Sequence, residues 1–377
     1  MIKEVKFGIV GTGAIFALSH ANAIKKIPNA SILSIFDVNQ DRALECSQKW
    51  QIPKVAKNLD ELVNDKNINA IVIATPNDTH KEIAIKAANA GKHIFCEKPI
   101  SVNLQDAYQM IESCNENKVN LQIGFNQRYW SQVQIVKELL EINFIGKVHS
   151  FRSVYSEKWD AYPATTQYRY NLEQSGGATM VDLAVHRIDL IRYLLGEYKN
   201  IVAELKHNEI PHKVDDNVYI LANMQSGSTG VISSDRFSPA IGDGTDLYGS
   251  EGAIHFVTET INPFHNVPLA VYTEKKLNEI PPILKNNFYP SAWWKEFEGG
   301  WITLQPERKN PYEKELMSFC NNIIEGKSVE VNGEDGLKAL EIIIASYISK
   351  KAKKWVDLPL DKNTKIEARI NKFGCIN

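Results

Sequence analysis

Three observations predict the fold class of this 377-residue chain. Short apolar runs alternate with helical segments through residue 125, a glycine turn follows the first run directly, and period-2 strand patterns take over afterwards. Apolar runs separated by helices are the grammar of a parallel sheet covered on both faces. Period-2 alternation marks strands with one buried face. The prediction is therefore an α/β protein, a doubly wound parallel sheet over 1–125 followed by an α+β domain with a mainly antiparallel sheet over 126–377. The length, near two typical domains, agrees.

In chain order, the first half offers strands at Val5 to Val10, Ser31 to Phe36, Ala70 to Ala74, His93 to Cys96 and Asn120 to Phe125. Helices fall between them. Ile15 to Ile27 stops at Pro28, Asp41 to Trp50 is closed by Pro53, and a segment from near Thr79 carries Ile83, Ala84, Ala87 and Ala88 before Gly91. A glycine at that place ends a helix without steric cost. From about Asn103 to Asn117, Leu104, Ala107, Ile111 and Cys114 form one apolar stripe.

The second half predicts strands at Lys147 to Tyr155, Ile201 to His207, Asn217 to Met224, Gly230 to Phe237 and Ala253 to Val257. Helices are expected from Ala178 to Leu195, ending at Gly196, from Tyr312 to Ile324, ending at Gly326, and from Asp335 to Lys350. Between Asn262 and Pro311, prolines 263, 268, 281, 282, 290 and 306 interrupt every pattern beside Trp293, Trp294 and Trp301. This segment reads as an irregular excursion. Its tryptophans either pack on the domain or on another subunit, or form a lid over the site.

Composition excludes several function classes. With 43 basic against 45 acidic side chains, no global positive field gathers nucleic acid or an anionic membrane. No apolar run approaches the roughly 20 residues that cross a bilayer. The five cysteines show neither a CxxC pair nor zinc-ligand spacing, so no metal is expected and a reducing, cytoplasmic setting fits. Lys3 and Lys6 before the apolar stretch to Leu18, with Ala21-Asn22-Ala23, imitate a secretory leader. Glycines 8, 11 and 13 within that stretch point elsewhere.

Strand one runs directly into Gly11-Thr12-Gly13-Ala14-Ile15-Phe16 and a helix. A dinucleotide site needs this arrangement: the first glycine allows the tight turn, the second lets the backbone approach a pyrophosphate, and the helix N-terminus supplies free N–H groups. Phe16 stands at the third glycine position. Asp37, ending the second strand, has the spacing of a carboxylate that accepts bonds from the adenosine ribose hydroxyls. It alternatively caps the helix that starts near Asn39 or Gln40. A carboxylate there repels a 2′-phosphate, so NAD is preferred over NADP, with Arg42 the nearest cation downstream.

Two strand ends lead into Ala74-Thr75-Pro76-Asn77 with His80, and Glu97-Lys98-Pro99. Open α/β sheets bind ligands at the carboxyl ends of their strands. Pro99 restricts Lys98 and so helps hold its ammonium in one place. Downstream, Gly176-Gly177 precedes Asp182 and His186, four apart and hence on one helix face, with Asp189 a turn further. The two glycines permit close backbone approach to a ligand. A His-Asp pair satisfying itself in the core is the alternative.

Together with Gly124-Phe125-Asn126-Gln127-Arg128, these motifs resemble, in order and spacing, the glucose-fructose oxidoreductase and inositol dehydrogenase (Gfo/Idh/MocA) family. The resemblance covers most of the chain. It implies a Rossmann domain, then an open-faced sheet domain, and an NAD-dependent enzyme that oxidises a hydroxyl of a sugar or polyol. It further implies that Lys98, Asp182 and His186 meet around that hydroxyl: His186 as general acid/base, Lys98 polarising the oxygen, Asp182 orienting His186 or binding a neighbouring hydroxyl. Glu97, Thr75, Pro76, Asn77 and His80 belong to the cofactor pocket on this reading. Asn126, Arg169 and Asn171 are expected on the sugar wall, with Tyr155, Trp159 and Tyr168 stacking on its C–H face. Arg187, where many members carry aspartate, is expected to alter the pocket charge. Homo-oligomers are expected, because an open sheet face leaves apolar surface uncovered. Two rival readings are an NAD-dependent glycosidase working by transient oxidation and a silent nucleotide or sugar sensor.

Overall fold

The computed structural model describes residues 2–158, 164–207, 214–238, 242–258, 267–286 and 297–364. Its first sheet has six strands, β1 (Val5–Val10), β2 (Ala30–Phe36), β3 (Lys54–Val55), β4 (Ala70–Ile73), β5 (His93–Cys96) and β6 (Leu121–Ile123), in the order β3-β2-β1-β4-β5-β6. All pairings are parallel. The order reverses direction between β1 and β4, which opens a crevice beyond their carboxyl ends. Helices α1 (Ala21–Lys25), α2 (Gln40–Trp50), α3 (Leu59–Val63), α4 (His80–Asn89) and α5 (Leu104–Glu116) make the crossovers. β3, two residues long, is too short to show a period and escaped the sequence reading.

The first crossover is not the uniform helix expected from Ile15 to Ile27. A π-helical turn at Phe16–His20 precedes α1. The wide turn coincides with Phe16, whose fully buried ring fills the place a glycine would leave empty.

After β6 come α6 (Ser131–Glu141), β7 (Val148–Ser156), α7 (Leu172–Ser175), a π-turn at Met180–Ala184 and α8 (Val185–Leu195). The second sheet adds β8 (Tyr198–Lys206), β9 (Asn217–Met224), β10 (Thr229–Asp235), β11 (Gly242–Gly249), β12 (Gly252–Phe256), β13 (Leu269–Thr273), β14 (Gly300–Leu304) and β15 (Val356–Asp357). Its order is β14-β13-β12-β11-β7-β10-β9-β8-β15, antiparallel throughout except where β7 meets β10. One face is buried against α8 and α11 (Gly333–Ala352). The other is open, as the alternating burial of β9 and β10 shows.

Here the irregular excursion expected between Asn262 and Pro311 is corrected. β13 and β14 pair within it, flanking α9 (Pro282–Asn286), and Trp301 lies on β14, well exposed. Among the described residues, Pro268, Pro281, Pro282 and Pro306 sit outside the strands, so they punctuate the segment without forbidding a ladder. Trp293 and Trp294 lie outside the described residues. β11, Gly-Asp-Gly-Thr-Asp-Leu-Tyr-Gly, was also missed, because it has no apolar alternation and is held by neighbours on both sides.

The chain then returns to the first sheet. α10 (Pro311–Glu325) packs Leu316, Phe319 and Cys320 into the cluster that holds Phe7, Ile9 and Phe95. The Phe7 and Phe319 rings stack at 6.1 Å. Thus a segment late in sequence covers one face of the first sheet, and the division at residue 125 is one of chain order. Buried pairing of Arg128 with Asp189 at 2.8 Å and with Asp335 at 3.0 Å ties the turn after β6 to α8 and α11.

Candidate active site

A cavity of about 880 Å³ lies between the two sheets, walled by the carboxyl ends of β1, β2, β4 and β5 on one side and by β7, the segment before α7 and the π-turn before α8 on the other. Asn77, leaving β4, spans the gap by donating Nδ2–H to the carbonyl of Ser175 at 2.7 Å.

At one end the glycine turn forms part of the wall. Gly11 has φ +93°, and a Cβ there would fall 2.4 Å from the Ala74 carbonyl oxygen, so the turn admits no side chain. A Cβ on Gly13 would meet nothing within 4 Å. Gly13 is therefore bare because the cavity is open at that point, the condition for backbone to approach a bulky anion. Ala14, Ile15 and Asp37 also line this end. Asp37 accepts bonds from the Thr12 amide at 2.8 Å and its hydroxyl at 2.9 Å, and pairs with Arg42 at 2.6 Å. Burial pushes its carboxyl up, but the Thr12 amide, Arg42 and the Asn39 amide outweigh that and hold it below the usual range. The helix-cap alternative falls to its neighbour, since the side chain that caps α2 is Asn39. Thr12 itself is buried beneath Asp37, off the cavity wall.

The strand ends carry Ala74, Thr75, Pro76, Asn77, Glu97 and Lys98 to the wall. His80 is not among the lining residues. Fully buried, it sets its ring nitrogens 3.0 Å from the Pro99 carbonyl and 3.1 Å from the Thr75 carbonyl, between the two strand-end loops. Glu97 has a partner the sequence reading missed: His20, wholly buried in the π-turn, with Nε2 2.7 Å from Oε1. Burial opposes its charge, yet that bond and the neighbouring Lys98 keep Glu97 below the usual carboxylate range. A lone histidine inside an apolar helical stretch was the available signal.

At the other end, the Lys98 ammonium donates to the Asp182 carbonyl at 2.8 Å and to its carboxylate at 2.9 Å. The second carboxylate oxygen pairs with Arg169 at 3.1 Å and with Arg236. Burial works against the Asp182 anion, but Arg169, Lys98 and Arg236 together hold it well below 3.8. Asp182 makes no hydrogen bond to His186. The helix-face argument assumed 3.6 residues per turn, and residues 180–184 are π-helical. Arg236, buried just past β10, was not anticipated: it ends an ordinary strand, and nothing local ties it to a carboxylate 54 positions earlier.

His186 lines the cavity with its ring edge-on to Tyr155 at 6.1 Å. Its Nδ1 is buried without a hydrogen-bond partner among the described residues. Burial first, then the charges of Lys98, Arg187 and Arg236, hold the imidazole well below 6.5 against the opposing pull of Asp182. It is neutral near pH 7. Arg187 is not on the wall. Fully buried, it pairs with Asp243 at 2.5 Å and lies over the Tyr155 ring at 4.8 Å, so it buttresses Tyr155 and reaches His186 only through its charge.

Asn126, Tyr155, Tyr168 and Arg169 are on the wall, joined by Glu157, Gln174 and Tyr312, which the sequence reading did not assign to the site. Asn171 instead caps α7. Trp159 lies outside the described residues. The glycine pair is also explained differently than expected: a Cβ on Gly177 would fall 2.2 Å from the Tyr347 hydroxyl, so the close approach is to α11, not to a ligand. Asp189 faces Arg128, away from the cavity. No described residue between 267 and 310 lines the cavity, which leaves the lid reading without support there. Among the described residues, no group of three or more His, Cys, Asp and Glu is placed to hold a metal, and no helix is long and apolar enough to cross a membrane.

Residues 5–125 match the profile of an oxidoreductase family with an NAD-binding Rossmann fold (GFO_IDH_MocA), and residues 133–255 match the GFO/IDH/MocA C-terminal domain. A myo-inositol 2-dehydrogenase of Thermotoga maritima is 30% identical over 356 residues, covering 92% of this chain and 96% of the relative. A levoglucosan dehydrogenase of Pseudarthrobacter phenanthrenivorans is 26% identical over 356 residues, 86% of this chain and 89% of its own. The structure of a levoglucosan dehydrogenase in complex with NADH and levoglucosan superposes with a TM-score of 0.81 at 26% identity, covering 95% of this chain and 100% of the other.

Proposed function

The chain belongs to the Gfo/Idh/MocA family of NAD-binding oxidoreductases, and from that premise we propose that it oxidises a hydroxyl carbon of a cyclic sugar or polyol, with NAD preferred to NADP. The observation that carries this reading is a single cavity with an open glycine turn and Asp37 at one end and Lys98, Asp182 and His186 at the other. The bare space at Gly13 fits a dinucleotide pyrophosphate, and Asp37 fits the adenosine ribose. When bound there, NAD supplies the hydride acceptor.

The residues of the chain do the rest. Two of the three Lys98 N–H bonds are committed to Asp182, which leaves one donor for the substrate oxygen. That donor stabilises the developing alkoxide electrostatically. Neutral His186, whose buried Nδ1 has no hydrogen-bond partner among the described residues, accepts the hydroxyl proton, and in reduction returns it. Asp182 stays ionised and transfers nothing; it holds Lys98 in place. Tyr155 and Tyr168 offer apolar faces to the ring, and Asn126, whose buried Oδ1 lacks a partner, offers an acceptor to a further hydroxyl.

The test is a screen of inositols, aldoses and anhydrosugars for NAD reduction, followed by substitution. Lys98→Ala and His186→Ala are expected to retain NAD binding and lose about 10²- to 10⁴-fold in turnover. Because the His186 imidazole sits well below 6.5, oxidation should not lose rate to its protonation until the pH is well under that value. Near-normal turnover in both variants would remove the proposed chemistry.

The open face of the second sheet supports self-association. Tyr219 and Leu221 of β9 and Val231 of β10 are exposed there, Leu221 directly opposite Val231. Tyr248, Ala253, Tyr272 and Trp301 continue the face as cross-strand neighbours.

A further inference from the structure

Asp37 reaches the cavity with its acceptor capacity already filled. Oδ2 accepts from the Thr12 amide at 2.8 Å, the Thr12 hydroxyl at 2.9 Å and Arg42 Nε at 3.3 Å. Oδ1 accepts from the Asn39 amide at 2.9 Å and Arg42 Nη2 at 2.6 Å. An ionised carboxylate offers about four lone-pair sites, so a ribose hydroxyl arriving as a further donor finds none open, and withdrawal of Arg42 would free one, on Oδ1. Two of the present donors are main-chain groups fixed by the glycine turn and by the start of α2. The Thr12 hydroxyl is buried with them. Arg42 is different: its side chain is 33% exposed, projects from the first turn of α2 and lines the cavity.

We propose that Arg42 is a placeholder on Asp37, which must leave the carboxylate when an adenosine ribose binds and which then stands at the ribose edge as the cation a 2′-phosphate would require. The inference rests on the reading of this cavity as a dinucleotide site. Its first consequence is that Arg42 competes with NAD, since a ribose hydroxyl and the guanidinium want the same place on Oδ1. Its second is that discrimination against NADP is shallower than Asp37 alone would impose, because a guanidinium binds phosphate oxygens in the same forked geometry it uses for carboxylate. One side chain thus sets both affinities, in opposite directions.

Equilibrium titration of the whole protein with NAD⁺ and with NADP⁺, followed by calorimetry, separates the possibilities. Arg42→Ala should bind NAD⁺ about two- to fivefold tighter, the amount expected from removing a competing, partly exposed ion pair. The same variant should bind NADP⁺ about tenfold weaker or worse, through loss of a charge-assisted contact. Arg42→Lys, which cannot fork, should fall between wild type and alanine for both ligands. Arg42→Gln keeps most of the stem without the charge and reports the same two shifts should the alanine variant fold poorly. NAD⁺ binding unchanged or weakened in Arg42→Ala and Arg42→Gln, or NADP⁺ binding unaffected, overturns the placeholder. Wild-type protein that binds neither nucleotide overturns the dinucleotide reading itself, and this inference with it.

Discussion

Asp182→Asn isolates what one buried charge does for this site. The substitution keeps the shape of the side chain and removes a carboxylate that Lys98, Arg169 and Arg236 share. Side-chain exposure runs from 0% for Arg236 to 16% for Arg169, with Lys98 at 11% and Asp182 at 8%, so solvent screens these pairs little. At about 3 Å and an effective dielectric of about 20, one such pair has a Coulomb energy of roughly 5 kcal/mol, most of it offset by desolvation. Breaking a buried pair from one side leaves partner charge uncompensated and costs about 3–5 kcal/mol, and here three cations lose a shared carboxylate. Urea denaturation at pH 7 should therefore show a loss of about that size.

The pH dependence provides an independent check. The folded Asp182 carboxyl lies well below 3.8, so its stabilisation is fully present above that value and is lost only as pH falls through the folded value. The gap between wild type and Asp182→Asn should hold from pH 8 to about pH 4.5 and close only under more acidic conditions. Turnover should also fall, by about 10²-fold, because Lys98 loses the partner that aims it. A stability gap under about 1 kcal/mol at pH 7, or one that closes near pH 6, would refute the assignment of Asp182 as the fixed counterion.

Two further expectations concern the glycine turn and the open sheet. Gly11→Ala should destabilise the fold by at least about 1–3 kcal/mol, because it combines a positive φ with a backbone clash against Ala74. Gly13→Val, with open space around its Cβ, should melt close to wild type and lose NAD binding in titration. Equal effects on stability would contradict the distinction. Leu221→Arg and Val231→Glu, on the open face, should lower the mass measured by sedimentation without unfolding the chain. Wild-type protein that sediments as a monomer would remove the self-association reading.

The sequence by itself determined what depends on near neighbours. The alternation of runs and helices, the turn at Gly11, the carboxylate closing β2 and the helix-ending Gly91, Gly196 and Gly326 all carry their physical reason within a few residues. Motif order was enough to name Lys98, Asp182 and His186, which do line one cavity. Tertiary structure decided what depends on distant partners. Asp182 looked like the companion of His186 four residues away, yet its oxygens belong to Lys98, Arg169 and Arg236, because the π-turn breaks the assumed period and β10 delivers a guanidinium. Gly177 is bare because α11 passes over it, and Arg187 is buried because Asp243 waits there. β11 and β14 are strands because the ladders beside them supply hydrogen-bond partners. Local propensity is written residue by residue, whereas charge pairing and sheet pairing are settled only when segments remote along the chain compete for the same space.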